Sequence, residues 1–239
     1  MIKKHLYLSL LIIILSFNYG CSKLSKPKDP LKQKSVLKEN YPDGMIKQES
    51  TYIGKTLNGP MKLYYPNGKL KYTSVYKNGV LDGKIVGYYE NGQVSRSGTF
   101  VNGLLEGEAK KFYENGQLQE SHIFKGGKVN GESATYFEDG RIMKKISYKN
   151  GKIDGTSYTY YPDGMVLTVS HHIDGRPHGE LKQYFQSGDL MAKSVYNNGN
   201  VELFEVYNEK GKVLVRRDKE EILKIMKKLH DQEAKAKKN

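Results

Sequence analysis

The residues best suited to binding chemistry form a regular series of aromatic rings, which we call the aromatic stripe: Tyr64, Tyr88, Phe112, Tyr136, Tyr160 and Tyr184. A tyrosine offers a flat apolar face for packing and a hydroxyl for hydrogen bonding, so a line of them suits an amphipathic ligand surface. The same rings would also shield the backbone of a thin sheet and pack on their neighbours. The sequence therefore supports a ligand-binding and a structural interpretation, and it does not separate them.

A second candidate for chemistry is Cys21, the only cysteine of the chain. Two N-terminal lysines precede an apolar run over 6–17 that is too short for a comfortable membrane span. This layout, with Gly20 directly before the cysteine, resembles a bacterial lipoprotein signal peptide. It predicts a signal peptide over 1–21 and a lipid on Cys21, with an ordinary secretory signal or an uncleaved anchor as the alternative. A single cysteine also excludes an internal disulfide.

Histidine is the remaining residue type with metal chemistry. His171, His172 and His178 lie close together, but the first two point to opposite faces of a strand and the third falls in a turn. We therefore expect no metal site. No nucleotide-binding, metalloprotease or nucleophile motif occurs, and an open sheet offers no cleft where two carboxylates could converge. The sequence thus predicts a non-enzymatic protein without catalytic residues or cofactor.

Glycine sets the elements that hold these residues, because it recurs in three series with one 24-residue step. The series begin at Gly44, Gly79 and Gly59, and the first usually follows Asn or Asp. Asn-Gly and Asp-Gly between apolar runs predict hairpins, so we expect two-residue type I′ turns at the first series. We expect longer turns between the second and third series, as over 103–107. The predicted fold class is all-β, an elongated single-layer antiparallel meander of stacked β-hairpins.

The predicted turn also fixes which side chains share a face. With a two-residue turn at Asn67-Gly68, Tyr65 would pair with Leu70 on one face of the sheet. Tyr64 and the rest of the aromatic stripe would then lie on the opposite face, among Lys, Ser, Thr and Gln.

The repeat array, predicted over 40–217, lies between two basic ends. Residues 22–39 hold six lysines against two acids and two prolines, which predicts a flexible tether. A capping pattern and helical spacing predict an amphipathic helix and basic tail over 218–239, folded over the last strand edge. The net charge of +13 belongs mostly to the ends, because 40–209 holds 20 basic and 19 acidic residues. We therefore expect no nucleic-acid binding, and basic ends that suit an anionic membrane.

The repeat unit, as in the stretch GKIVGYYENG over 83–92, resembles the MORN repeat. Its 24-residue form is similar to the bacterial variant of YwqK-family proteins, which are described as antitoxins. The resemblance covers roughly 41–211, about seven units. It implies an elongated, twisted sheet of stacked hairpins with a binding role toward proteins, membranes or a toxin.

Two functional hypotheses follow from these observations. The first is a lipid-anchored repeat scaffold of the bacterial cell envelope, at the outer membrane or cell surface in a diderm, that binds a protein partner. Toxin neutralisation is its specific form. The second is an envelope protein that binds a glycan or lipid headgroup through its tyrosine-rich face. The partner, the face used and the oligomeric state stay open.

Overall fold

The computed structural model describes residues 33–236 of the 239-residue chain. Within this range it has nineteen strands and one helix. Their bounds are β1 Lys34–Asn40, β2 Ile46–Ile53, β3 Thr56–Tyr64, β4 Leu70–Lys77, β5 Val80–Leu81, β6 Gly83–Tyr88, β7 Val94–Val101, β8 Leu104–Phe112, β9 Leu118–Lys125, β10 Lys128–Val129, β11 Gly131–Tyr136, β12 Ile142–Lys149, β13 Lys152–Tyr160, β14 Val166–Ile173, β15 Arg176–Pro177, β16 Gly179–Tyr184, β17 Leu190–Asn197, β18 Asn200–Tyr207, β19 Val213–Asp218 and α1 Lys219–Ala236.

The strands form one antiparallel meander, in which each strand pairs with the next along the chain. The pairs β5–β6, β10–β11 and β15–β16 are each one strand broken once, because β4, β9 and β14 pair with both parts. Each 24-residue repeat therefore supplies two full-length strands. The predicted fold class is confirmed.

The sheet has almost no fully buried apolar core. Among the described residues, only Ala134 and Ala192 are fully buried hydrophobic side chains. Large apolar side chains are instead half-buried against neighbours on the same sheet. This is the burial expected of a single layer whose stability comes from stacking between adjacent repeats.

The first glycine series closes a different turn from the one predicted. Gly68 donates its N–H to the Tyr65 carbonyl at 2.9 Å, and Tyr65 donates its N–H to the Lys69 carbonyl at 2.8 Å. Gly68 has a φ of +79°, whereas Asn67 has no positive φ, so the loop has three residues and a glycine bulge. The Asn67 side chain accepts a hydrogen bond from the Lys69 N–H at 3.0 Å. This bond, rather than a type I′ turn, explains Asn or Asp before the glycine.

The type I′ turn belongs to the second glycine series. Asn78 and Gly79 have φ values of +51° and +82° and connect the cross-strand partners Lys77 and Val80. The longer turns predicted between the second and third series are wrong, since β8 begins directly after Gly103. The same pair of positive φ values recurs at Asn102-Gly103, Asn150-Gly151, Asp174-Gly175 and Asn198-Gly199.

The third glycine series lies inside the strands, where pairing is irregular. Gly59 sits at a register shift between β2 and β3 and has a φ of +123°. At Gly83 an added Cβ would lie 2.8 Å from the Val75 Cβ. Glycine is therefore required here both for backbone conformation and for close approach to the neighbouring strand.

The register defines two faces, because cross-strand partners share a face and successive residues alternate. The serine face carries a row through the middle of the sheet in which Ser50, Met61 and Ser74 are in register. Ser74 is only 1% exposed. The other face carries Tyr64 and is called the stripe face.

Both ends differ in part from the prediction. The tether predicted over 22–39 overlaps β1, which begins at Lys34 because it pairs with β2; its earlier residues and the predicted signal peptide over 1–21 lie outside the described range. The predicted helix is present as α1, beginning with a hydrogen bond from the Glu221 N–H to Asp218 Oδ1 at 3.0 Å.

The helix lies over the serine face at the end of the sheet rather than along the bare edge of the last strand. Ile222 and Ile225 line an apolar cavity of about 410 Å³ together with Tyr196, Phe204 and Val215 of the last three strands. The half-buried rings there provide the apolar surface that the helix covers. No helix of the described residues has the length and hydrophobicity needed to span a bilayer.

Candidate functional site

All six residues of the aromatic stripe lie at strand ends on the stripe face, and all are half-buried. Each pairs with an aliphatic residue across the hairpin: Tyr64 with Leu70, Tyr88 with Val94, Phe112 with Leu118, Tyr136 with Ile142, Tyr160 with Val166 and Tyr184 with Leu190. The predicted pairing of Tyr65 with Leu70 is wrong, since the glycine bulge moves the partner by one residue. The stripe face is thus more apolar than predicted.

The stripe rings repeat every second full-length strand, which separates successive rings by about 10 Å. Phe112 lines an open pocket of about 530 Å³ with Lys84, Val86, Val94 and Ser97. The Tyr64 hydroxyl donates to Glu49 Oε2 at 2.9 Å. Burial, with the hydrogen bond and charge of Glu49, raises the pKa of Tyr64 above its usual value. The stripe is therefore an accessible but partly packed surface.

A different set of tyrosines, one residue further along the chain, has a clear structural role. The Tyr65 hydroxyl donates to the Tyr88 carbonyl at 2.7 Å, and the Tyr89 hydroxyl donates to the Phe112 carbonyl at 2.6 Å. Each bond joins one repeat to the next, and we call the set the tyrosine ladder: Tyr41, Tyr65, Tyr89, Tyr113 and Tyr161.

The tyrosine ladder was not predicted from the sequence. The ladder hydroxyls donate to backbone carbonyls of the stripe residues. The two sets therefore have different roles, although their members are adjacent in the chain. The sequence feature that could have indicated the ladder is the pair of adjacent aromatic residues that recurs at the same place in successive repeats. Phe137 and Phe185 interrupt the ladder, because phenylalanine has no hydroxyl to donate.

Charged side chains of the stripe face form ion pairs within a strand and between adjacent strands. Glu180 lies 2.7 Å from Lys182 Nζ and 2.6 Å from Lys193 Nζ. Hydrogen bonds and charge from these two lysines lower the pKa of Glu180 to about 2. Glu205, only 7% exposed, lies 3.2 Å from Arg216. Both carboxylates are therefore balanced by cations on the same face.

The three clustered histidines have different surroundings in the sheet. His171 Nδ1 lies 3.4 Å from Thr156 Oγ1, whereas His172 and His178 each bury an Nδ1 atom without a hydrogen-bond partner. Burial lowers the pKa of His172, with contributions from His171 and Lys144. No group of three or more His, Cys, Asp or Glu side chains within 33–236 is placed to hold a metal ion.

Comparison with known proteins identifies the repeat. The family model described as the MORN repeat variant matches residues 36–53, 57–78, 81–102, 105–125, 129–150 and 177–198. No curated protein matches the chain. Solved structures with a likeness include a porin-like protein from Bacteroides uniformis ATCC 8492, with 12% identity over 78% of this chain and 89% of that chain. Its TM-score of 0.20 is too low to support any conclusion. The matched repeats cover more than half of the sequence, and the chain therefore belongs to the MORN repeat variant family.

Proposed function

We propose that this protein is a non-enzymatic scaffold of the bacterial cell envelope that binds a protein partner through its sheet. The observation that carries the proposal is a repeat array in a single layer, whose large apolar side chains are half-buried rather than enclosed. Repeat arrays of this kind provide extended binding surfaces. The aromatic stripe supplies rings at regular intervals along such a surface, and aromatic residues are enriched at protein interfaces.

We further propose that Cys21 carries a lipid and holds the array at a membrane. The support is the layout of the first 21 residues, in which a basic start and an apolar run precede Gly20-Cys21. Mass spectrometry of the mature protein should show a chain that begins at Cys21 and carries acyl groups. A Cys21→Ser variant should leave the membrane fraction. A mature chain that begins elsewhere, or membrane association unchanged by this substitution, would refute the anchor.

The partner can be identified by crosslinking from the stripe face. A photo-reactive amino acid at Lys84, an exposed position beside Phe112, should capture a protein partner in cells. Phe112→Ala should weaken the capture, because it removes the ring from the open pocket. The same probe at Thr99, the exposed cross-strand partner of Lys84 on the same face, tests the extent of the contact. Recovery of lipid alone, with no protein sensitive to Phe112→Ala, would contradict the proposal.

Toxin neutralisation is the specific form of this function that the YwqK-like resemblance favours. It predicts that the partner is a toxin encoded beside this protein and that cells lacking the scaffold are poisoned by it. Co-expression should restore growth, and a stripe variant that fails to bind should fail to restore it. If the toxin inhibits growth equally with and without the scaffold, toxin neutralisation is excluded. Binding of some other protein partner is not excluded by that result.

A glycan or lipid headgroup is the second candidate ligand of the stripe face. It is favoured by Tyr88, Tyr136, Tyr160 and Tyr184, whose hydroxyls make no hydrogen bond with the described part of the chain and are free to meet ligand oxygens. Glycan arrays and liposome flotation with a Cys21→Ser chain would detect such binding. Signals that survive phenylalanine substitution of all four tyrosines would exclude their hydroxyls as the determinant.

A further inference from the structure

Two glycines stand apart from every other described glycine of the chain. Gly87 and Gly98 have ordinary φ values, whereas the remaining described glycines have positive φ. Neither therefore serves a turn or a bulge. Glycine within a strand weakens the sheet and often marks a place where a ligand or another backbone comes close.

Both glycines lie on the serine face, Gly87 against Arg96 and Gly98 against Leu105. Gly87 is the cross-strand partner of Arg96, and an added Cβ would lie 2.9 Å from the Arg96 Cγ. An added Cβ at Gly98 would lie 3.0 Å from Leu105 Cδ1. Equivalent positions in neighbouring repeats carry side chains, such as Ser74 in place of Gly98. The space is therefore specific to this repeat.

The Arg96 side chain forms part of a basic pocket of about 560 Å³, a volume typical of ligand sites. Its guanidinium lies over the Tyr72 ring at 5.3 Å, and Lys71 Nζ lies over the Tyr65 ring at 5.2 Å. No ion pair joins either cation to a carboxylate of the described residues, and the pocket lining contains no acidic residue. Lys111, also in the lining, is paired with Glu120 at 3.4 Å.

An apolar hollow of about 220 Å³ adjoins this pocket and shares Arg96 and Lys111 with it. Its remaining lining is mainly aliphatic and aromatic, and Gly98 forms part of its floor. Together the pocket and hollow extend from β3 to β9. These strands are separated by five inter-strand spacings, or about 24 Å. The main apolar lining residues are Ile85, Phe100, Leu105, Ala109 and Phe124.

We propose that this groove binds an extended acidic segment of a partner protein. A carboxylate of the segment pairs with Arg96, and an adjacent apolar side chain enters the hollow beside Gly98. A span of about 24 Å corresponds to about seven extended residues. A sugar fits less well, because the faces of Tyr65 and Tyr72 are already occupied by cations. This inference rests on the proposed protein-binding function and names the chemistry of the partner.

The test is selection of a random seven-residue peptide library on phage against the full chain. We expect selected peptides to carry Asp or Glu close to a large apolar residue. Synthetic versions should bind about tenfold less tightly to Arg96→Thr, since a hydrogen bond to a charged group is lost. Gly98→Ser should also weaken binding by filling the hollow. Binding should fall as salt concentration rises, because the groove is open to solvent.

Both substitutions are compatible with the repeat. Thr168 occupies the place of Arg96 three repeats further along the chain, and Ser74 occupies the place of Gly98 one repeat earlier. The matched control is Lys144→Thr, which removes a cation from the same place two repeats beyond Arg96. It should leave peptide binding unchanged. Unfolding curves of the three variants, compared with that of the unsubstituted chain, check that each array is folded.

Three results would contradict peptide binding in this groove. They are a library from which no peptide is enriched, enriched peptides without acidic residues, and equal peptide binding by Arg96→Thr and the unsubstituted chain. Binding of inorganic phosphate or of vesicles with 30% phosphatidylglycerol that is lost in Arg96→Thr, without peptide binding, would replace the peptide with a small anion or a membrane. A cellular partner crosslinked from Lys84 on the stripe face, together with equal peptide binding by Arg96→Thr and the unsubstituted chain, would preserve the proposed function while excluding this groove.

Discussion

The tyrosine ladder makes the energetic link between repeats directly testable. In Tyr89→Phe the ring stays in place, and only the hydroxyl that donates to the Phe112 carbonyl at 2.6 Å is lost. The substitution does not disturb the fold, because Phe137 and Phe185 occupy the same place in other repeats. We therefore expect a loss of stability that comes from one hydrogen bond between adjacent repeats.

The expected loss is about 1 kcal/mol per bond, the typical net contribution of an intramolecular hydrogen bond. In a chain of this size it corresponds to a fall in Tm of about 2–4 °C. The five bonds of the ladder lie in separate repeats, so their losses should add. Replacing all five tyrosines should then remove about 5 kcal/mol, a large part of the stability of a typical domain.

Urea unfolding followed by circular dichroism gives the measurement, since a change in midpoint without a change in slope reports stability alone. Tyr88→Phe is the matched control, because its hydroxyl makes no hydrogen bond with the described residues. Phe137→Tyr should have the opposite effect to Tyr89→Phe, since the Tyr160 carbonyl is in the acceptor position. Equal midpoints for Tyr89→Phe and Tyr88→Phe would refute the ladder as a source of stability.

Three further predictions follow from local geometry. Gly83→Ala should destabilise the chain far more than Gly92→Ala, because only at Gly83 does the new Cβ meet a neighbour at 2.8 Å; comparison of urea midpoints checks this. Glu180→Gln should lower the free energy of unfolding by less than about 1 kcal/mol at pH 7, because the ion pairs of Glu180 with Lys182 and Lys193 are exposed. The pKa of Glu180 is lowered to about 2, so this loss should shrink as pH falls from about 4.5 toward 2 in a pH series of unfolding curves. Asp218→Ala should remove about 1 kcal/mol from α1, seen as faster amide exchange in its first turn.

The fold was predictable because the 24-residue glycine step fixes two strands per repeat and leaves no room for an interior helix. The turn types were assigned to the wrong series. Asn67-Gly68 and Asn78-Gly79 are identical dipeptides, and only the hydrogen bonds around them separate a bulged loop from a type I′ turn. The displaced pairing of Leu70 follows from that single error.

The candidate site was predictable only in part. The aromatic stripe was found from its spacing, and the structure places it on one face as expected. The Arg96 groove was not found, because it depends on a departure from the repeat rather than on the repeat itself. In the sequence, Gly87 and Gly98 cannot be distinguished from the turn glycines of this glycine-rich chain. Only the structure shows that their φ values are ordinary.

The reach of each ladder hydroxyl, from one repeat to the carbonyl 23 residues later, has a consequence for how this chain can change in length. When one complete unit of 24 residues is deleted or duplicated, the ladder hydroxyl of one repeat again faces the equivalent backbone carbonyl of the next repeat. A deletion or insertion of any other length would misalign this donor and its acceptor. Such proteins can therefore gain or lose whole units during evolution at little energetic cost, while the specialised ends and the single altered unit around Arg96 are retained.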